Sequence, residues 1–211
     1  MAHGAGRAGG LSVPAALAPL VLASASPRRA ALLQEAGLAF ECAPAEVDES
    51  GLPGETPRAT CLRLARAKAR AGVAGRASGT VLGGDTLVEL DGAALGKPRD
   101  AREAAAMLAS LAGRRHRVWS AVALVHAGSG LSAADVESAD VEFAPLTDGW
   151  LEGYLRSGEW EGKAGAYAIQ GRAESFARLV AGELDTVVGL PRTLLAALLA
   201  RLASDLEEIT R

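Results

Sequence analysis

Apolar positions alternate along the chain between short runs and helical stripes. Leu20 to Ala23 is an aliphatic run short enough for a buried strand, and Ser26-Pro27 opens an alanine- and leucine-rich segment that Gly37 should end. Serine suits the N-cap, and proline suits the first helical position, where no N–H is needed. Leu38 to Ala43 reads as a second strand. Thr56-Pro57 repeats the cap-and-proline start for a helix to Gly72 or Gly75, with Cys61, Leu64, Ala65, Ala69 and Gly72 on its apolar face. Thr80 to Leu82 reads as a central strand ending in Gly83-Gly84-Asp85-Thr86, and Leu87 to Leu95 as a hairpin with Asp91-Gly92 at its tip.

Asp100 and Glu103 have the spacing of a capping box for a helix to Leu111. His116 to Val125 and Val136 to Phe143 are expected as strands, and Thr147 or Asp148 as the cap of a helix through Arg156. Glu159 to Gly171, rich in glycine, reads as a binding loop rather than a packed element. Ser175 to Ala181 and Thr186 to Val188 are expected as strands, Gly189-Leu190-Pro191 as a turn, and Arg192 to Leu202 as the closing helix. Met1 to Ala18 is a Gly- and Ala-rich extension expected to be loosely ordered and outside the core, leaving residues 19–211 as one domain.

Composition narrows the classes. With 211 residues the chain can bury a core as one unit, and 49% hydrophobic with 22% charged residues is ordinary for a globular protein. A net charge of −3 gives no general attraction to nucleic acid or anionic membrane, so any anion binding must be local. Aromatics at 4% leave few stacking platforms for single strands. Pro14 and Pro19 break the first apolar stretch, which fails as a signal peptide or span. Cys42 and Cys61 lack metal-site spacing and read as reduced thiols, which places the protein in the cytoplasm. His116 and His126 have no metal-spaced partners and read as structural.

The candidate chemistry lies where charge is out of place. Arg28 and Arg29 stand in the first turn of a helix, at the positive end of its dipole, where an anion rather than a cation is favoured. Lys68 falls on the apolar face of its helix and needs an anion or a route to water. Asp85, placed at the C-terminal end of a strand, should point into the crevice where open α/β sheets hold ligands. The Gly83-Gly84 pair before it would let a ligand approach the backbone. Lys97 sits on a stiff turn between Gly96 and Pro98, and Glu46, Asp48 and Glu49 could hold a divalent cation or form a solvated turn. Gln170 offers both a donor and an acceptor, matching the imide edge of uracil or thymine. Cations for a pyrophosphate leaving group, carboxylates for a metal and a carboxylate for the proton of water together suit phosphoanhydride hydrolysis.

Five ordered motifs carry a resemblance. Leu22-Ala-Ser-Ala-Ser-Pro-Arg-Arg29, Gly83-Gly-Asp-Thr86, Gly96-Lys-Pro98, Lys163-Ala-Gly-Ala-Tyr-Ala-Ile-Gln-Gly171 and Val188-Gly-Leu-Pro191 resemble the Maf family of nucleoside triphosphate pyrophosphatases in order and spacing. The resemblance spans Leu20 to the C-terminal helix. It implies a mixed α/β fold, an elongated curved sheet flanked by helices with two lobes around a nucleotide cleft, and a homodimer. The activity implied is cleavage of a nucleoside triphosphate to monophosphate and pyrophosphate with Mg²⁺ or Mn²⁺. Asp85 would be the proton acceptor and, with Glu46, would lie at the metal. Lys68 and Lys97 would hold the triphosphate, with Ser24, Arg28, Arg29 and Lys163 also on substrate. Arg28, Thr86 and Gln170 match the branch acting on dTTP and UTP, where a second branch, acting on 7-methyl-GTP, typically carries tryptophan, glutamine and glutamate. A nucleotide-binding regulator of cell division, with incidental hydrolysis, is the reading of another class.

Overall fold

The computed structural model describes residues 11–211. Leu20–Leu22 forms β1, whose three side chains are all buried; a strand covered on both faces reads as an unbroken apolar run. Pro27–Glu35 is α1, Phe40–Cys42 is β2 and Pro57–Val73 is α2. Thr56 Oγ1 accepts from Ala59 N, as its cap position requires. At α1 the positional cap, Ser26, makes no side-chain cap bond; Ser24 Oγ instead accepts from Ser26 N.

The next strand, β3, runs from Thr80 to Leu90. Asp85 is therefore mid-strand, which corrects its expected place at a strand end. Asp91 and Gly92, both at positive φ, turn β3 into β4 at Ala93–Leu95. Ala101–Leu111 is α3, capped by Asp100; Arg115–His126 is β5 and Ser132–Phe143 is β6. Asp148–Ser157, capped by Thr147, is α4, Ala177–Ala181 is β7 and Arg192–Ile209 is α6. Leu184–Val188 is a short helix, α5, where a strand was expected at Thr186 to Val188. Its β-branched residues favour extension by themselves, and packing against β5 and β6 overrides that weak preference.

The seven strands form one mixed sheet in the order β2-β1-β3-β5-β6-β7, with β4 also on β3. β1 is parallel to β2 and β3, and the remaining pairs are antiparallel. On one face Leu20, Leu22, Leu82, Val122 and Leu124 pack with Leu33 of α1 and Leu195 and Leu199 of α6. Farther along that face Val88, Val118, Val141 and Phe143 pack with Leu108 of α3 and Tyr154 of α4. On the other, Cys61, Ala65 and Ala69 of α2 lie against Leu87, Ala121 and Ala123.

Gly83 explains the tight seat of α2. A Cβ there would stand 2.2 Å from Ala65 O and 2.5 Å from Ala69 N. A Cβ on Gly84 would stand 3.0 Å from Arg29 Nε. The glycine pair thus admits a helix backbone on one face and an arginine on the other, rather than a ligand as the sequence suggested.

The expected exclusion of residues through Ala18 from the core needs correction at its end. Leu17 is fully buried, and Leu11 and Val13 pack against the same cluster. Residues 1–10 of that extension lie outside the described residues. Cys42 is exposed and Cys61 buried, both as free thiols. No helix among the described residues is long and apolar enough to cross a membrane.

Candidate active site

The cleft follows from how β3 is paired. β5 occupies one edge of β3 from Thr80 to Glu89. On the other edge β1 pairs only with Thr80 to Leu82 and β4 only with Val88 to Leu90. Gly83 to Leu87 therefore face an open notch. Successive side chains of a strand point to opposite faces, so Asp85 turns towards α2 while Thr86 turns towards α1 and α5. A cavity of about 530 Å³ opens at the notch, a size suited to a small ligand. Its lining includes Ser24, Arg28, Arg29, Glu46, Lys68, Asp85, Thr86, Lys97, Lys163 and Gln170, so the residues that the family resemblance assigns to the site border one space, while Asp48, also a candidate cation ligand, is not part of the lining.

On the α2 face, Lys68 Nζ is 2.7 Å from Asp85 Oδ1 and 2.6 Å from Glu49 Oε1. Lys97 Nζ lies 3.3 Å from Glu49 Oε2. Lys68 on an apolar helix face is thus satisfied by carboxylates, not by snorkelling to bulk water. Lys68 and Asp85 are buried, and among the described residues Asp85 Oδ2 has no hydrogen-bond partner. Burial pushes the Asp85 carboxyl above its ordinary range; Lys68 and Arg29 oppose that push without cancelling it. At Glu49 burial also pushes upward, but the hydrogen bond and charge of Lys68, with help from Lys97, bring the carboxyl below its ordinary value. Two neighbouring carboxylates are thus shifted in opposite directions by their surroundings.

The sequence reading named Glu46, Asp48 and Glu49 as possible cation ligands, and the family resemblance put Glu46 at the metal. Glu46 does line the cleft, but Glu49 is the acidic residue tied to both lysines. Among the described residues no three His, Cys, Asp or Glu side chains cluster as a ready-made metal site. The donors nonetheless fit a hard cation: the unpartnered Asp85 Oδ2 and the Glu46 and Glu49 carboxylates border a space with room for phosphate oxygens and water.

The two arginines separate sharply. Arg28 Nη2 donates to Gly162 O at 3.3 Å and otherwise faces the cleft, its proton affinity lowered by burial and by Arg29. Arg29 is buried, and its guanidinium donates to Gly189 O, Ser24 Oγ and Thr86 Oγ1 at 2.9, 2.9 and 3.0 Å. Three of its five N–H groups tie the β1–α1 turn to β3 and to the α5–α6 turn, which sets it apart from the surface phosphate clamp expected for the pair. Gly189, at φ 121°, has its would-be Cβ position 3.0 Å from Thr86 Oγ1, so only glycine fits that turn.

Lys163 and Gln170 reach the cleft from 159–171, which is more ordered than a loop. Gly165 sits at φ 66° against Val88, while Ala166, Tyr167 and Ile169 belong to the core. Val88, Val118, Tyr167, Ile169, Val187 and Val188 give this end of the cavity an apolar wall. His116 Nε2 lies 2.8 Å from Tyr167 Oη, and burial lowers its pKa to about 4, in keeping with a structural role. Ser120, which sequence reasoning missed, is fully buried beneath Thr86 and bonded to it at 2.9 Å. A serine inside an apolar strand was the one signal it gave.

The cleft thus has a cationic, carboxylate-bearing end and an apolar end rimmed by Thr86 and Gln170. The first suits polyphosphate, and the second suits a flat heterocycle with an imide edge. Residues 19–202 match the family described as Maf-like protein. The chain is 50% identical over 184 residues to a dTTP/UTP pyrophosphatase of Anaeromyxobacter dehalogenans strain 2CP-1, covering 86% of this chain and 93% of that one. It is 45% identical over 188 residues to the dTTP/UTP pyrophosphatase of Syntrophotalea carbinolica, covering 88% and 85%. It is also 48% identical over 173 residues to that of Escherichia coli O157:H7, covering 82% and 87%.

Proposed function

The chain belongs to the Maf-like protein family, and we propose that it is a nucleoside triphosphate pyrophosphatase that cleaves dTTP and UTP to the monophosphate and pyrophosphate. The observation that carries this reading is Lys68 shared by Asp85 and Glu49, with Asp85 Oδ2 left unpartnered beside a cation-lined cavity. The names of the relatives support the substrate class.

Asp85 accepts the proton of a water whose oxygen bonds to the α-phosphorus, while the bond from that phosphorus to the bridging oxygen breaks and pyrophosphate departs. Its raised proton affinity suits the task, because a base works best with a pKa near the operating pH. Lys68 orients the Asp85 carboxylate through Oδ1 and leaves Oδ2 for the water. Lys97, Lys163 and Arg28 line the cavity and meet the negative charge of the phosphates. The apolar wall and Gln170 receive the base. A divalent cation held by Asp85, with Glu46 and Glu49 beside it, would neutralise phosphate charge when bound.

The test is pyrophosphate release by the purified protein with Mg²⁺ and dTTP, UTP or 7-methyl-GTP. Preference for the two pyrimidine nucleotides is expected, and Asp85→Asn should lower kcat by about 10²–10⁴-fold, the usual span for a lost general base. Hydrolysis by Asp85→Asn at the parental rate would remove Asp85 from its role, and a preference for 7-methyl-GTP would overturn the substrate class.

A further inference from the structure

Three hydrogen bonds run in line beneath the base end of the cleft. Arg29 Nη2 is 3.0 Å from Thr86 Oγ1, Thr86 Oγ1 is 2.9 Å from Ser120 Oγ, and Ser120 Oγ is 2.7 Å from the backbone oxygen of Thr186. The two ends of this chain have fixed polarity, since a guanidinium only donates and a carbonyl only accepts. Ser120 gives its single proton to Thr186 O, so the proton between the two hydroxyls must belong to Thr86. Thr86 meanwhile accepts from Arg29. One lone pair is all that Thr86 Oγ1 has left for a ligand, and Thr86 lines the cleft. Towards a base it can accept a hydrogen bond and cannot donate one. Arg29 and Ser120 are both buried, so water does not compete for these positions.

Gln170 cannot supply that polarity. It is exposed, and among the described residues no protein group holds its carboxamide by a hydrogen bond. A half-turn of the amide exchanges its donor and acceptor, so it can pair with the imide of uracil or thymine or, flipped, with N3 and the amino group of cytosine. Telling these bases apart requires a group that cannot flip.

We propose that Ser120 is a specificity-determining positioning residue that, with Arg29, holds Thr86 as an obligate acceptor for the N3–H of a pyrimidine imide. Uracil and thymine nucleotides are admitted, and cytosine nucleotides, whose N3 is an acceptor, are rejected. This rests on the reading of the cleft as a pyrimidine triphosphate pyrophosphatase.

The parent enzyme is first compared on UTP, CTP and 3-methyl-UTP, in which a methyl group replaces the N3 proton. CTP and 3-methyl-UTP should each lose about 10²-fold or more in kcat/KM, because a site built to bond a polar group leaves its own acceptor unpaired against the wrong ligand. This arm needs no variant. Ser120→Ala removes the acceptor of the Thr86 proton and frees the hydroxyl to donate; the UTP-to-CTP ratio should fall by about tenfold, one lost hydrogen-bond preference, with the effect in KM rather than kcat. Ser120→Thr keeps the hydroxyl and should keep the ratio, which a merely structural role would not distinguish. Undiminished turnover of 3-methyl-UTP or CTP by the parent, or a parental ratio in folded Ser120→Ala, overturns the proposal and leaves UTP hydrolysis standing. Absence of any pyrimidine triphosphate hydrolysis overturns the pyrophosphatase reading and this proposal together.

Discussion

Replacing Lys68 by methionine keeps the apolar stem and removes the ammonium that Asp85 and Glu49 share. At 2.7 Å the Lys68–Asp85 attraction is about 6 kcal/mol at an effective dielectric of about 20, offset in the parent by the desolvation of both groups. Without the ammonium, Asp85 keeps its burial and loses the largest of the influences that oppose it. Leaving the carboxylate ionised and unpaired would cost about 3–5 kcal/mol. Taking up a proton avoids this cost. Asp85 in the variant should therefore titrate higher than in the parent. A carboxyl with a raised pKa is favoured in its protonated form, so the variant loses stability as pH rises through that value. Activity moves the other way, since the base exists only above its pKa. At neutral pH, kcat for dTTP should fall by about 10²-fold or more, and the acid limb of the profile should be displaced to higher pH than the parent's, so that part of the loss is recovered as pH rises. Lys68 also lines the cavity proposed to hold the phosphates, so the readout is kcat at saturating dTTP, with urea unfolding followed over the same pH range. An acid limb at the parent's position, or a stability–pH curve parallel to the parent's, would refute the reasoning.

Gly83→Ala should destabilise the fold by about 3 kcal/mol or more, because the added methyl meets the α2 backbone, which cannot rotate away as a side chain could. A parental midpoint in urea would contradict the close seat of α2. His116, held near pKa 4 by burial, contributes stability that is fully present above its unfolded value of about 6.5 and is lost as pH falls, about 3 kcal/mol in all by pH 4. His116→Gln keeps a partner for Tyr167 and should flatten that part of the stability–pH curve; an unchanged slope in denaturant titrations at pH 7, 5.5 and 4 would remove His116 as its source.

Elements with strong local chemistry were legible in the chain. Thr56-Pro57, Asp100 and Thr147 start helices where the sequence puts them, and Asp91-Gly92 turns the hairpin. Elements whose state is decided at a distance were not. Gly83-Gly84 looks like a turn in one dimension, and only α2 and Arg29, brought from elsewhere, show why a continuous strand needs two glycines there. Arg28 and Arg29 are equivalent on paper. Adjacent helical residues point about 100° apart, so one enters the core and the other faces the cleft, and no local rule assigns which. Glu46 and Glu49 lie in an irregular segment without periodicity, so the acidic cluster was readable but the lysine-bound member was not. Ser120 was hidden because a serine in a strand normally signals solvent, whereas this one lies under Thr86.

The notch in the edge of β3 gives these particulars a common cause. Because β1 ends at Leu22 and β4 begins its pairing at Val88, the open segment exposes both faces of the strand to one cavity. Asp85 and Thr86 are neighbours in sequence yet point to opposite sides of the sheet. The first is set in the electrostatics of α2, through Lys68, and the second in a hydrogen-bond chain anchored by α1 and α5. On the proposed reading, proton transfer leans on Lys68 and base selection on Ser120, with Arg29 acting on both, although their principal residues share a peptide bond. Substituting Ser120 should change which base is accepted without moving the pH dependence of the chemical step, substituting Lys68 should do the reverse, and substituting Arg29 should move both. Had either β1 or β4 extended along the notch, ordinary ladder pairing would have closed the edge, and the same two side chains would have been separated by a layer of sheet with no common ligand to act on.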